Sequence, residues 1–138
     1  MEKKCTNTPF LTLMQTSKLI HERIKAEMVK NKLSITEFSV LEVLYHQGKL
    51  TIQQIGRSIL ISSGSMTYVI DKLEQRGLLS RVACPNDRRA IHVILTEEGK
   101  KLMDEIMPRY HEFVNGMFDS FTEKEKETFV QLMKEISV

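Results

Sequence analysis

The side chains best suited to contacting a ligand form a run of hydroxyl groups in the middle of this 138-residue chain. The run opens a stretch of helical periodicity in which Met66, Val69, Ile70 and Leu73 share one face, so the hydroxyl groups turn toward solvent. The free amides of a helix N-terminus favour phosphate, and small hydroxyl groups can hydrogen-bond phosphates and base edges. An ordinary serine cap on a solvated helix is the alternative interpretation. The candidate DNA contacts in this stretch are Ser62, Ser63, Ser65, Thr67, Tyr68 and Lys72.

A second candidate contact surface is the charged turn between two stretches of alternating apolar residues. This alternation predicts a hairpin, and residues 85–90 between its strands are rich in turn formers. Arg88 and Arg89 lie at the predicted tip, where an arginine on a two-stranded protrusion can enter a minor groove. Asp87 could pair with Arg89 and orient its guanidinium group. A solubilising charge cluster is the alternative, but the hydroxyl-bearing helix and the basic tip together favour DNA binding.

Apolar periodicity and capping signals predict six helices, with the hairpin between the fourth and the fifth. Capping boxes open the second, third and sixth helices, and Ser62 or Ser63 is expected to cap the fourth. The predicted hairpin strands cover residues 79–84 and 91–95. Pro108 is expected to kink or break the fifth helix. The predicted fold class is mainly α with a small β-hairpin, a winged helix-turn-helix with a helical dimerisation region.

The two terminal regions carry more apolar surface than a winged helix of this size can cover. Helices of a second copy of the chain would bury this apolar surface, so we expect a homodimer. The alternative is a monomer that folds these helices back on itself. The expected organisation is an N-terminal dimerisation helix in residues 1–33, a DNA-binding domain in 34–95 and C-terminal dimerisation helices in 96–138. The stripe of the sixth helix, from Phe129 to Ile136, is expected to face inward. The side chains that need partners are Phe10, Leu13, Ile20, Met107, Phe113, Val114, Met117, Phe118, Phe129 and Met133.

Composition and charge exclude several classes of protein. With 41% hydrophobic and 28% charged residues, the chain is expected to fold into a globular domain. No apolar stretch reaches the ~18 residues of a membrane span. The N-terminus lacks a secretory signal and the two cysteines cannot form a disulfide framework, so a cytoplasmic protein is expected. The net charge of +2 combines +6 over residues 1–95 with −4 over residues 96–138, which permits a polyanionic partner. No phosphate-binding loop, nucleophile elbow or metal-ligand spacing occurs, so we expect no enzyme, no cofactor and no metal site.

Three motifs stand in order in the second half of the chain: the run from Ser65 to Leu79, the tripeptide Asp87-Arg88-Arg89, and the stretch from Leu95 to Gly99. In type and spacing they resemble the multiple antibiotic resistance regulator (MarR) family, and the helix plan extends the resemblance over nearly the whole chain. The resemblance implies a dimeric winged-helix transcription regulator, usually a repressor, whose first, fifth and sixth helices build the dimer. It also implies base and phosphate contacts at Ser63, Ser65, Thr67 and Tyr68, a minor-groove contact at Arg89 oriented by Asp87, and a phosphate contact at Arg88.

Two sets of residues are candidates for sensing an effector. Parts of the sequence between Thr36 and Tyr68 are similar to the methylhydroquinone-responsive branch of the family, which implies a small aromatic, quinone-like or electrophilic effector. Cys5 and Cys84 are candidate reactive thiols, with unreactive bystander thiols as the alternative. If the first and second helices meet, a noncovalent pocket would draw on the following residues, each of which could equally be plain core or surface: Met14, Ser17, His21, Phe38, Tyr45 and His46.

The function expected from the sequence is a repressor that an effector releases from a palindromic operator in double-stranded DNA. A winged-helix module for protein–protein contacts and an activator that acts without a ligand are the alternatives. Salt distinguishes DNA binding from protein contacts, because binding through phosphates weakens steeply as the salt concentration rises whereas an apolar interface does not weaken.

Overall fold

The computed structural model of the chain describes residues 7–59 and 65–138. Over these residues the chain forms helices and short strands in an order that confirms the predicted fold class, mainly α with a small sheet. The elements are α1 (Thr8–Lys30), α2 (Ile35–Gln47), β1 (Leu50–Thr51), α3 (Ile52–Ser58), α4 (Met66–Gln75), β2 (Leu79–Cys84), β3 (Asp87–Leu95), α5 (Glu97–Gly116) and α6 (Glu123–Lys134).

Local sequence signals place the starts of three helices. In each, the hydroxyl group of the N-cap residue accepts a hydrogen bond from the backbone amide three positions later in the sequence. The Glu or Gln side chain at that later position accepts a hydrogen bond from the backbone amide of the N-cap residue. Each capping box satisfies two amides that have no partner inside the helix. The three predicted boxes are confirmed at Ser34 and Glu37, Thr51 and Gln54, and Thr122 and Glu125.

Helix α4 starts later than predicted. Its N-cap is Ser65, whose side chain makes no capping hydrogen bond, and Met66 is its first helical residue. The expected cap at Ser62 or Ser63 is therefore wrong, because apolar periodicity does not determine which of several serines precedes the first turn; both residues lie outside the described part of the chain. The helix ends before Gly77, which has a left-handed backbone at φ +75°.

The hairpin belongs to a three-stranded antiparallel sheet with strand order β1-β3-β2. The sequence did not predict β1, since a strand of two residues is too short to show alternation. Strand β3 begins at Asp87 and not at the predicted Ile91, so most of the charged turn is itself extended chain. The pairing shifts register between Ala83 and Cys84, next to the tip, which allows the turn residues to join the strand.

Helix α5 is continuous through Pro108, so the predicted break is not observed. A proline removes one backbone hydrogen bond, and the flanking turns of this 20-residue helix tolerate that loss. Among the described residues, no helix is both apolar enough and long enough to span a membrane.

The chain divides into two compact units, Met1–Lys100 and Lys101–Val138. The first unit has a core drawn from α2, α3, α4 and the sheet, with Phe38, Ile55, Leu73 and Val93 fully buried. In the second unit the rings of Phe118, Phe121 and Phe129 pack with centroids 5.5–6.2 Å apart. The prediction that the stripe of α6 faces inward is wrong for the single chain, because exposed side chains occur at Phe129, Leu132, Met133 and Ile136.

Candidate nucleic-acid interface

The outward face of α4 carries the hydroxyl groups that the sequence singles out. Val69, Ile70 and Leu73 are buried on the opposite face, as their spacing predicts, whereas Met66 in the first turn is only half-buried. Tyr68 is 59% exposed, an unusual fraction for a large aromatic side chain in a well-packed helix. The N-terminal turn of α4 therefore presents polar side chains to solvent, and the exposed predicted contacts are Ser65, Thr67, Tyr68 and Lys72.

Two of these side chains act as a pair. The Nζ atom of Lys72 lies 5.1 Å from the centroid of the Tyr68 ring, one helical turn away. A cation over an aromatic face at an exposed site contributes about 0.5–1 kcal/mol and limits the motion of both side chains. The i, i+4 spacing places the two side chains as neighbours on the same helix face.

The wing tip exposes Asp87 and Arg89 at the start of β3. The Oδ1 atom of Asp87 accepts a hydrogen bond from the backbone amide of Arg89 at 2.9 Å. The expected pairing of Asp87 with the Arg89 guanidinium group is thus corrected, because the short aspartate side chain reaches the nearby amide first. Asp87 fixes the backbone from which Arg89 projects. The side chain of Arg88 lies outside what the structure describes.

Sequence reasoning missed a charged cluster that joins α4 to the wing. The Arg81 guanidinium group in β2 donates to Asp71 Oδ1 at 2.5 Å and to Glu74 Oε1 at 2.6 Å. The hydrogen bond to Asp71 is the largest influence on Arg81, and with Glu74 it raises the pKa of the guanidinium group against the opposing effect of burial. The signal in the sequence is an aspartate and a glutamate three residues apart on one helix face, but their partner is known only once the chain is folded.

The opposite end of α4 is also anchored within the first unit. Arg76 Nη1 donates to the backbone carbonyl of Lys32 at 2.7 Å and lies 3.7 Å from a carboxylate oxygen of Glu37. Lys32 has a left-handed backbone at φ +58° in the turn between α1 and α2. The turn thereby directs the carbonyl group of Lys32 toward Arg76 at the C-terminal end of α4.

The residues predicted to sense an effector are not gathered at one place. Met14, Ser17 and His21 line an open concavity of about 470 Å³ on α1, together with Gln15 and Lys18. Phe38 is buried in the core, whereas Tyr45 and His46 meet edge to face at 5.5 Å. Cys84 is half-buried near the wing tip, and Cys5 lies outside the described residues. Within the described ranges no group of three or more potential metal ligands forms.

An exposed helix after a helix-turn-helix, followed by a hairpin with a basic tip, defines the class of winged helix-turn-helix DNA-binding proteins. The sequence model of the MarR family matches residues 33–91. Over 129 residues the chain is 40% identical to the HTH-type transcriptional regulator MhqR of Bacillus subtilis (strain 168), a match that covers 94% of this chain and 89% of that protein. This chain belongs to the MarR family. The predicted resemblance to the methylhydroquinone-responsive branch is supported by MhqR.

Solved structures share the fold at lower identity. NadR in complex with 4-hydroxyphenylacetate has a TM-score of 0.77 at 21% identity, covering 98% of this chain and 96% of that chain. A MarR mutant from E. coli complexed with operator DNA has a TM-score of 0.76 at 20% identity, covering 93% of each chain. The family and the curated relatives are transcription regulators, which confirms that the protein is not an enzyme.

Proposed function

We propose that this MarR-family regulator is a repressor that binds a near-palindromic operator as a homodimer. The observation that carries the proposal is the exposure of hydroxyl groups and Lys72 on α4 in the same compact unit as the exposed Arg89. Helix α4 has ten residues, and an α-helix with its side chains is about 10–12 Å across, which fits a major groove about 12 Å wide. The basic tip of the wing suits the adjacent minor groove, where an inserted arginine meets concentrated negative potential.

The proposal of a homodimer rests on apolar side chains that the single chain leaves exposed. In the single chain, α1 and the C-terminal segment both carry large apolar side chains in contact with solvent. A second copy that covers them would place two α4 helices roughly 34 Å apart, which requires an operator with two-fold symmetry. We assign dimerisation to residues 1–33 and 96–138, and DNA binding to 34–95. The exposed apolar side chains are Phe10, Leu13, Met14, Leu19, Val29, Phe129, Val130, Leu132, Met133 and Ile136.

Operator binding is tested by fluorescence anisotropy with the DNA upstream of the protein's own gene and a scrambled duplex of equal length. We expect the upstream DNA to bind at least about 1,000-fold more tightly, with an affinity that falls steeply between about 50 and 200 mM salt. Equal binding to both duplexes, or affinity independent of salt, contradicts the proposal and favours a protein-contact module. Transcription from the bound promoter in vitro then distinguishes a repressor from an activator.

Arg89→Ala is expected to weaken operator binding by about 1–3 kcal/mol, because it removes the wing-tip cation proposed to enter the minor groove. The dimer stays intact in size-exclusion chromatography, since Arg89 is not among the apolar side chains assigned to the interface. Arg109→Ala, at an exposed position of α5 that is not among the apolar side chains assigned to the dimer, is the matched control and leaves the affinity unchanged. If the Arg89→Ala protein binds the operator as tightly as the wild type, Arg89 does not contribute to DNA binding.

The effector that we propose is a small aromatic compound bearing ring oxygens, bound without covalent reaction in the concavity of α1. The concavity combines the apolar Met14 side chain with the hydrogen-bonding groups of Lys18 and His21. This combination of apolar surface and a few polar groups suits a phenol or hydroquinone. NadR, whose structure contains 4-hydroxyphenylacetate, and the similarity to MhqR support this class of ligand.

Release of operator DNA by methylhydroquinone tests the effector site. Lys18→Ala/His21→Leu is expected to raise the concentration needed for release by about tenfold, as two lost hydrogen bonds would. Lys25→Ala, also exposed on α1, leaves it unchanged. A Cys5→Ser/Cys84→Ser variant should still release DNA normally. Loss of release in that cysteine variant would show that the effector reacts with a thiol, contrary to a noncovalent site.

A further inference from the structure

The Asp71–Arg81–Glu74 cluster connects the two elements that are proposed to contact DNA. Asp71 and Glu74 lie on α4, and Arg81 lies in β2 of the wing hairpin. The Arg81 side chain is 24% exposed, and its two terminal nitrogen atoms each donate to a different carboxylate. A guanidinium group is planar and rigid, so two carboxylates bound to its two ends fix both its position and its orientation.

Glu74 also binds the backbone of the wing. Strand β2 is an edge strand, because β3 lies between it and β1. The backbone amide of Arg81 donates to Glu74 Oε2 at 3.0 Å, while Glu74 Oε1 accepts from the guanidinium group. An edge amide without a strand partner is thus satisfied by a side chain of α4. Backbone and side chain of the same wing residue are therefore tied to α4.

We propose that Arg81 is a positioning residue for DNA recognition, which holds the wing at a fixed angle to α4 so that both enter their grooves together. The inference rests on the proposed function. Arg81 acts through Asp71 and Glu74 and does not itself touch DNA. Two other roles are separable by experiment: Arg81 could contact a phosphate, or it could only neutralise two carboxylates that would repel DNA.

Asp71→Asn distinguishes a positioning role of Arg81 from simple charge neutralisation, because the two roles predict changes of operator affinity in opposite directions. Removing a negative charge from a helix that faces phosphates should strengthen binding if charge is all that matters. If Arg81 positions the wing, the same change weakens operator binding, since the ion pair with Arg81 becomes a weaker neutral contact. We expect operator affinity to fall about tenfold, with affinity for scrambled DNA changing less than about twofold. Glu22→Gln replaces an exposed carboxylate on α1 that is not among the apolar side chains assigned to the dimer, so it is the matched control and changes neither affinity.

Arg81→Lys keeps the charge and loses the planar two-ended geometry. We expect a similar loss of operator affinity with an unchanged slope of log affinity against log salt, because no phosphate contact is removed. Hydroxyl-radical footprinting of both variants should lose protection beneath the wing and keep it beneath α4. Thermal unfolding checks that the variants are folded. Asp71 is half-exposed, so we expect the Asp71→Asn protein to fold. It therefore tests the positioning role even if Arg81→Lys does not fold.

The wild-type protein separates this inference from the proposed function. If the wild type does not prefer the operator, the proposed function fails first. If the wild type selects the operator and Asp71→Asn binds it equally or more tightly, the positioning role is overturned. A salt slope that falls by about one in Arg81→Lys would overturn it too, since Arg81 would then be a phosphate contact.

Discussion

Replacing Gly99 with alanine is expected to destabilise the fold by about 3 kcal/mol, at the upper end of the range for overpacked sites. A Cβ atom built at Gly99 would lie 1.9 Å from the carbonyl oxygen of Leu78 and 2.9 Å from its carbonyl carbon. Both are backbone atoms, which cannot rotate away as a flexible side chain would. Alanine therefore forces the start of α5 away from the chain that enters β2.

The surrounding hydrogen bonds explain why the two segments approach so closely. The Thr96 hydroxyl donates to the carbonyl oxygen of Gly77 at 2.5 Å and accepts from the Gly99 amide at 3.1 Å. The Thr96 amide donates to the Leu78 carbonyl at 3.2 Å. The threonine and glycine of the Leu95–Gly99 motif thus hold the first turn of α5 against the segment between α4 and the wing. A displacement at Gly99 would be transmitted to this segment.

Chemical denaturation followed by circular dichroism measures the loss. Gly56→Ala is the matched control, because no atom lies within 4 Å of the Cβ that it adds. Alanine is the better helix former, so Gly56→Ala should be neutral or stabilise α3 by up to about 1 kcal/mol. If Gly99→Ala unfolds at the same denaturant concentration as the wild type, the close contact with Leu78 does not determine stability.

Features encoded by neighbouring residues could be predicted from the sequence. A capping box needs only a hydroxyl residue and a Glu or Gln three positions later, so the starts of α2, α3 and α6 were predictable. The same applies to the burial of Val69, Ile70 and Leu73, which one helical stripe determines. The outward hydroxyl groups of α4 follow from that stripe.

Features that depend on distant parts of the chain could not be predicted. Strand β1 exists because Leu50 and Thr51 pair with Val93 and His92, more than forty positions away. Arg81 binds acids seven and ten residues back in sequence, a contact that only the packing of β2 on α4 creates. The carboxylate of Asp87 had two plausible donors nearby, and only the folded turn selects the amide.

The exposure of the apolar stripe of α6 could not be predicted either, because it depends on which surface packs against that stripe. Periodicity shows that Phe129, Leu132 and Met133 share a stripe, but it does not show whether the stripe packs against its own chain or another. In the single chain these side chains are exposed, and Leu132 is 58% exposed. An apolar stripe that its own chain leaves uncovered is what a homodimer interface requires.

Leu132→Glu is expected to convert the homodimer into monomers at micromolar concentration. A two-fold interface contains the substituted position twice, so two unpaired carboxylates would be buried together or lie close to one another. The monomer can hold only one half-site at a time and loses the advantage of linked binding. Operator affinity should therefore fall by at least about 100-fold. Sedimentation velocity measures the mass, and anisotropy with the operator measures the affinity.

Lys134→Glu supplies the control for added negative charge on the same helix. Lys134 is exposed and lies two positions after Leu132, which places it on the other side of α6. Its substitution changes the charge by more than Leu132→Glu does, yet it should leave both the mass and the operator affinity near those of the wild type. Since Leu132 is already exposed in the single chain, helicity by circular dichroism should match in all three proteins. A Leu132→Glu protein that remains dimeric would place the interface elsewhere, and a monomeric wild type would contradict the homodimer itself.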